Sequence, residues 1–409
     1  MASTTLKKAA SCWLLILGSV FCASRQGDNS AIILPALHDH PFVGKRDFRL
    51  TDTRRLNQYA PDFGPKNATR YQEVMVSLFY PTDQVPSQSS STSAYMPRLT
   101  ADIWNEDLAA FGVPNGTIAR LRSHAILNAS IASHCHHKTT NDAWPLIILD
   151  PGLEASRFEY TLLAESLAQH HYVVALIDHP YNAKVVEFPD GTIVRNPNPP
   201  ASYPNDKFLE PRVQDITFVL DRLTKVESTH PFRMNTDRVM MWGHSFGGAA
   251  TGEAMRRDRR IAGGSDFDGA FYSTIIESPT AKIDRPFLLW NAGDFNATQQ
   301  QAAGQDTFLE IWDHHLTGWK MQLQVRDTKH DSATDEGAIA KAIGFADTPA
   351  SIDNVGTADI LRVRRLLRDF LSEFADFVIF GKPGRLLNPN ASKYWPEVEV
   401  LKFDANGQA

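Results

Sequence analysis

The pentapeptide Gly243-His244-Ser245-Phe246-Gly247 constrains this chain more than any other feature. Arg238-Val239-Met240-Met241-Trp242 before it reads as a short buried strand, and Gly248-Ala249-Ala250-Thr251-Gly252 after it as the small-residue opening of a helix. A strand that enters a helix through so sharp a turn strains its central serine, and glycines two positions to either side keep side chains from colliding there. Such an elbow holds a hydroxyl out at the carboxyl end of a sheet, with the next backbone N–H aimed at a developing oxyanion. The bare pattern also arises by chance, when it marks only a tight turn around a buried serine. The strand before it and the small residues after it favour a nucleophile.

Around the elbow, apolar runs of strand length alternate with helical stretches, the mark of a mostly parallel sheet with helices on both faces. The expected class is α/β, an α/β-hydrolase fold with a mostly parallel central sheet. Residues 48–52 and 73–80 predict an antiparallel opening pair. Buried strands are expected over 146–149, 173–177, 239–242, 267–271 and 287–290, with 321–325 as the last. Helices are expected over 160–169, 213–223, after Ser245, and over the amphipathic stretch 360–380. Residues 81–93 are rich in Ser, Pro and Gln and read as a flexible loop. The prolines between Gly191 and Pro204 argue against any regular element there. Without an internal repeat or a charged linker, residues 25–409 form a single domain with insertions near 81–145 and 183–210.

The 409 residues are 43% apolar and 22% charged, which is ample for a sizeable core. A net charge of −6, with no basic stripe, excludes a nucleic-acid partner. Lys7-Lys8 precede the apolar run from Cys12 to Phe21 and the small residues Cys22-Ala23-Ser24. That order reads as a secretory signal peptide over residues 1–24, too short for a comfortable membrane span, and predicts a secreted, extracellular protein. Cys12 and Cys22 leave with the signal, so Cys135 remains alone and no internal disulfide can form. Sequons at Asn67, Asn115, Asn128, Asn296 and Asn390 fit the same route, each as a surface glycosylation site.

A serine near neutral pH needs a base, and the base needs an orienting acid. In the expected fold the chain order is Ser, Asp or Glu, then His. Of fourteen histidines only His314, His315 and His330 follow Ser245. His314 and His315 precede the final expected strand, whereas His330 lies in the loop leaving it, beside the elbow. The acid stays open between Asp268 and Asp294, each at the end of a strand after the elbow, and spacing alone leans to Asp294. Asp150-Pro151-Gly152-Leu153 follows the strand that supplies the second oxyanion donor, which makes the Leu153 and Phe246 N–H groups the candidate pair. His134-Cys135-His136-His137 has no second ligand cluster at zinc-like spacing and reads as a loop. No metal site and no nucleotide or cofactor motif is legible.

These residues carry a resemblance. The elbow Gly243-His244-Ser245-Phe246-Gly247-Gly248-Ala249, the block from Asp150 to Leu153 with Ser156-Arg157-Phe158-Glu159-Tyr160, Asp178-His179, and the run from Arg212 to Asp221 resemble the plasma-type platelet-activating factor acetylhydrolases. The likeness runs from about Val43 to His330. In that family the acid follows the strand directly after the elbow in a context like Phe267-Asp268-Gly269, so the resemblance moves the choice to Asp268. Pro151-Gly152 departs from the family's His-Gly, and Pro180-Tyr181 from its Arg-Asp, which puts substrate preference in doubt. The resemblance implies a cofactor-free serine esterase acting on short sn-2 acyl esters of glycerophospholipids, with peripheral contact to lipid surfaces. A general carboxylesterase or polyester hydrolase, and a non-catalytic binding protein of the same fold, are the competing readings.

Overall fold

A computed structural model describes residues 30–36, 42–57, 59, 71–86, 92–134, 143–196, 206–227, 229–294 and 307–405. The expected signal peptide, Cys135, Asn67 and Asn296 lie outside these residues. Ten strands form the central sheet: β1 (Phe42–Leu56), β2 (Tyr71–Thr82), β3 (Ile126–Leu127), β4 (Trp144–Asp150), β5 (Val173–Asp178), β6 (Met234–His244), β7 (Ile261–Phe267), β8 (Phe287–Asn291), β9 (Lys320–Val325) and β10 (Val398–Asp404). Their spatial order is β10-β9-β8-β7-β6-β4-β5-β2-β1-β3. The six strands from β9 to β5 are parallel, while β2 and β10 run antiparallel to their inner neighbours. The sheet is therefore mixed overall, with the expected parallel part at its centre.

The inner strands are buried on both faces, which is why they read as continuous apolar runs rather than alternating ones. Leu146 and Ile148 of β4 point into one core, and Ile147 and Leu149 into the other. The principal helices are α1 (Arg98–Leu108), α2 (Thr161–Gln169), α3 (Asp206–Leu223), α4 (Phe246–Arg257), α5 (Glu336–Ile343), α6 (Pro349–Val355) and α7 (Ile360–Phe380). The first core packs α3 and α4 through Val213, Ile216, Ala250 and Met255. The second packs α2 and α7 through Leu163, Leu167, Leu367 and Phe370. Asp359 caps α7 by accepting the Leu361 N–H at 3.0 Å, and Gly381 ends it with φ 69°.

Four expectations need correction. The strand expected over 267–271 is Ile261–Phe267, with Gly263 and Gly264 in its interior. A side chain at Gly263 would strike Val378 of α7, so the glycine lets helix and sheet approach closely. Residues 321–325 are not the last strand: β10 follows, with mostly half-exposed residues typical of an edge. Ile193–Arg195 pairs antiparallel with Val185–Glu187 despite the prolines that follow it. Finally, α3 begins well before Val213 and contains Pro211. Proline brings no N–H to the carbonyl four residues back, and the Tyr59 hydroxyl donates to that Lys207 carbonyl at 2.6 Å instead.

Candidate active site

The elbow forms because two glycine backbones pass where no side chain fits. A side chain at Gly243 would meet the Gly247 carbonyl, and one at Gly247 would meet the Asp150 carbonyl. Ser245 between them takes φ 55° and ψ −119°, a conformation L-residues avoid unless the surroundings enforce it. The enforcement includes the Ser245 N–H bonded to Phe267 O at 2.9 Å and the Gly248 N–H bonded to Ser245 O at 2.9 Å. Phe246 then opens α4, where the first N–H groups have no intrahelical acceptor.

The next strand, β7, ends at Phe267, and Asp268 turns away from it with φ 53°. Its Oδ1 accepts the Ala292 N–H at 2.9 Å, and its Oδ2 lies 2.7 Å from His330 Nδ1. His330 leaves β9 in a short 3-10 turn, His330–Ala333. Asp294 makes a different contact: its Oδ2 accepts from Lys329 Nζ at 2.9 Å, with the carboxylate 53% exposed. The carboxylate that meets the imidazole is therefore Asp268. Burial opposes its charge, but the His330 hydrogen bond and charge and the Ala292 N–H outweigh burial and hold its carboxyl below the ordinary value. Burial likewise disfavours the His330 cation, yet the Asp268 hydrogen bond and the charge of Asp331 overcome this and raise its pKa to about 9.

A second imidazole ties the site together. His244 is buried and its pKa falls to about 3, through burial first and the nearby His330 charge second, so it stays neutral. Its Nδ1 lies 2.8 Å from the Tyr160 hydroxyl and its Nε2 2.9 Å from the His330 carbonyl. The neutral ring fits both contacts if Tyr160 donates to Nδ1 and Nε2–H donates to the carbonyl. Tyr160 in turn accepts the Gly152 N–H at 3.0 Å. One chain of hydrogen bonds thus links the loop after β4, the elbow and the His330 turn.

That loop runs beside the serine: a side chain at Gly152 would lie 3.4 Å from Ser245 Cβ. The Gly152 and Glu154 amides are engaged, the latter by Asn182 O at 2.8 Å. Among the described residues the Leu153 amide between them has no acceptor. Below the loop, His179 bridges Asp150 at 2.8 Å and Asp215 at 3.0 Å. Asp178 forms a buried ion pair with Arg157, in keeping with a structural role at the strand end. His314 is exposed, and His315 is buried with Nδ1 2.8 Å from Ala281 O. Asn115, Asn128 and Asn390 are exposed, as sequons require. Nothing local in the sequence marks the supporting roles of Tyr160 and His244, although both lie within the resembling blocks.

A cavity of about 460 Å³ opens against this loop. Trp104 and Leu108 of α1, Phe111, and Ile339 and Ile343 of α5 give it an apolar wall. Glu159, Asp331 and Glu336 line its polar side, and burial raises the pKa of each.

Residues 65–188 match the family described as "Platelet-activating factor acetylhydrolase, isoform II". Over 95% of this chain and 100% of its relative, the sequence is 28% identical to a "Probable 1-alkyl-2-acetylglycerophosphocholine esterase" of Arthroderma benhamiae. A "Platelet-activating factor acetylhydrolase" of Canis lupus familiaris is 24% identical over 38% of this chain and 41% of its own length. Among solved structures, a ferulic acid esterase from Streptomyces cinnamoneus superposes with a TM-score of 0.75 at 29% identity, covering 91% of this chain and 100% of that one. These matches bear out the resemblance read from the elbow and its neighbouring blocks, and with it the fold.

Proposed function

We propose that this chain, a carboxylic ester hydrolase of the α/β-hydrolase fold, is a secreted enzyme that removes short sn-2 acyl groups from glycerophospholipids. Ser245 Oγ attacks the ester carbonyl while His330 takes its proton, and Asp268 holds the imidazole and stabilises the imidazolium. The tetrahedral oxyanion accepts from the Leu153 and Phe246 N–H groups. His330 returns its proton to the departing alcohol, leaving an acyl-serine, and then activates the water that releases the acid. This sequence of steps calls on no metal or cofactor.

The observation that carries the reading is the 2.7 Å contact between His330 and Asp268, made beside the strained serine and the unengaged Leu153 amide. The adjoining cavity supports an ester with a compact apolar acyl group, since its wall is apolar.

The experiment is a hydrolysis series on purified protein, in chelator, with sn-2 acetyl, butyryl and long-acyl phosphatidylcholines beside a feruloyl ester. Acetyl and butyryl lipids should lead in kcat/KM. A strong preference for the feruloyl ester would move the reading to a general carboxylesterase, and strict dependence on calcium would defeat it. Export is checked separately: protein from its natural host should begin near Ala23 to Gln26 and lose mass with an N-glycosidase. An intact Met1 without a glycan shift refutes secretion.

A further inference from the structure

Arg212 of α3 is 1% exposed and ranks among the largest fully buried side chains. A buried guanidinium destabilises a fold unless its donors find acceptors. Those of Arg212 converge on one loop. Nη1 donates to the Pro151 carbonyl at 2.5 Å and to Asp150 Oδ2 at 3.1 Å. Nη2 donates to the Gly152 carbonyl at 3.4 Å, and Nε to Asn182 Oδ1 at 3.3 Å. The Asn182 carbonyl accepts the Glu154 N–H at 2.8 Å, so the loop is held on both sides of Leu153. The guanidinium carbon also lies 5.0 Å from the centre of the Phe246 ring. One side chain therefore touches the loop that carries one candidate oxyanion donor and the residue that carries the other.

We infer that Arg212 is a positioning residue that sets the spacing between the Leu153 and Phe246 amides, an inference that rests on the oxyanion assignment proposed above. Neutralising Asp150 does not explain its geometry. His179 already meets that carboxylate at 2.8 Å, and most Arg212 donors go to neutral carbonyl oxygens. The planar fork is what the arrangement uses: parallel donors reach successive carbonyls while a flat face rests on the ring. Lysine would retain the charge but neither the fork nor the face. Arg212→Lys thus separates charge from placement.

The test uses the full chain carrying Arg212→Lys, Phe246→Leu or Ser245→Ala, with p-nitrophenyl acetate as substrate. An alkyl trifluoromethyl ketone serves as probe, because it forms a tetrahedral oxyanion adduct with an active serine. Arg212→Lys should lower kcat by about 10²-fold, the size of effect that slight misplacement of catalytic groups produces. KM should stay close to the wild-type value, and the ketone inhibition constant should weaken by the same factor as kcat. Phe246→Leu keeps the amide but removes the ring, and should show a smaller loss in the same two quantities. A folded Arg212→Lys protein with wild-type kcat and ketone affinity overturns the inference, as does a loss confined to KM. If Arg212→Lys does not fold, Phe246→Leu decides, and wild-type values for both quantities overturn it. An inactive Ser245→Ala beside such results leaves the triad reading standing. An active one overturns both.

Discussion

The floor of this site and the wall of its cavity are built by opposite means. The floor joins the turns after β4, β6 and β9 through buried polar side chains with assigned partners: Tyr160, His244, His179, Asp150 and Arg212. Buried polar groups with satisfied partners specify one arrangement, since each alternative leaves a donor or acceptor unpaired. The wall comes from α1, the turn at Phe111 and α5, where Trp104, Phe111, Ile339 and Ile343 are only half-buried and present mostly apolar surface. Apolar contacts are tolerant of shape-conserving change. Under the proposed function, a floor of the first kind would fix what reaction occurs, and a wall of the second kind would adjust which ester undergoes it.

The contrast is broken most sharply at the acid. Asp268→Asn should cost about 10⁴ in turnover, by wrong tautomer and lost imidazolium stabilisation. Asp294→Asn removes only an exposed pair with Lys329, worth less than about 1 kcal/mol, and should keep most activity. Steady-state kinetics of the two purified variants checks this, and comparable losses would erase the distinction between the two carboxylates.

A second effect lies in the pH profile. In the proposed mechanism His330 must be neutral to accept the serine proton, and its pKa is raised from the ordinary histidine value to about 9. Activity should therefore rise with pH, with the acid limb of kcat/KM above the ordinary histidine range. Asp268 supplies part of that upward shift, so the residual activity of Asp268→Asn should show its limb at lower pH. A wild-type limb at or below 6.5 would contradict the electrostatics of the floor.

The smallest effect belongs to the wall. Ile343→Ala enlarges the cavity by a few methyl-sized groups and should move the butyryl-to-acetyl ratio of kcat/KM by about tenfold. Parallel assays of the two esters measure it. An equal loss on both esters would mean that the wall serves the floor rather than the substrate.

Legibility in the sequence followed the same division. The elbow was readable because strain restricts its residue types to glycines around a serine, and His330 because chain order left few candidates. The buried strands were readable wherever both faces are covered, as over 146–149 and 173–177. Gly263-Gly264 hid the start of β7, because a close approach by Val378 reads in one dimension as a loop. β10 was hidden by its edge position, where one side needs no apolar residues. Topology could not separate Asp268 from Asp294, since both follow strands that end at the same edge of the sheet, and spacing leaned to Asp294, which meets Lys329 instead. Only the resemblance favoured Asp268 before the contact with His330 was seen. The partners of Arg212 and His244 are distant in sequence, and nothing local in the chain marks them.

Intact-mass analysis after treatment with a fluorophosphonate tests most directly whether Ser245 is the nucleophile of a working triad. Wild-type protein should gain one adduct, localised to Ser245 by peptide mapping, and lose its esterase activity in parallel. Ser245→Ala should fold normally, gain no adduct and show turnover lower by about four to six orders of magnitude. Labelling of another residue, or more than a few per cent of wild-type activity in Ser245→Ala, would contradict the account.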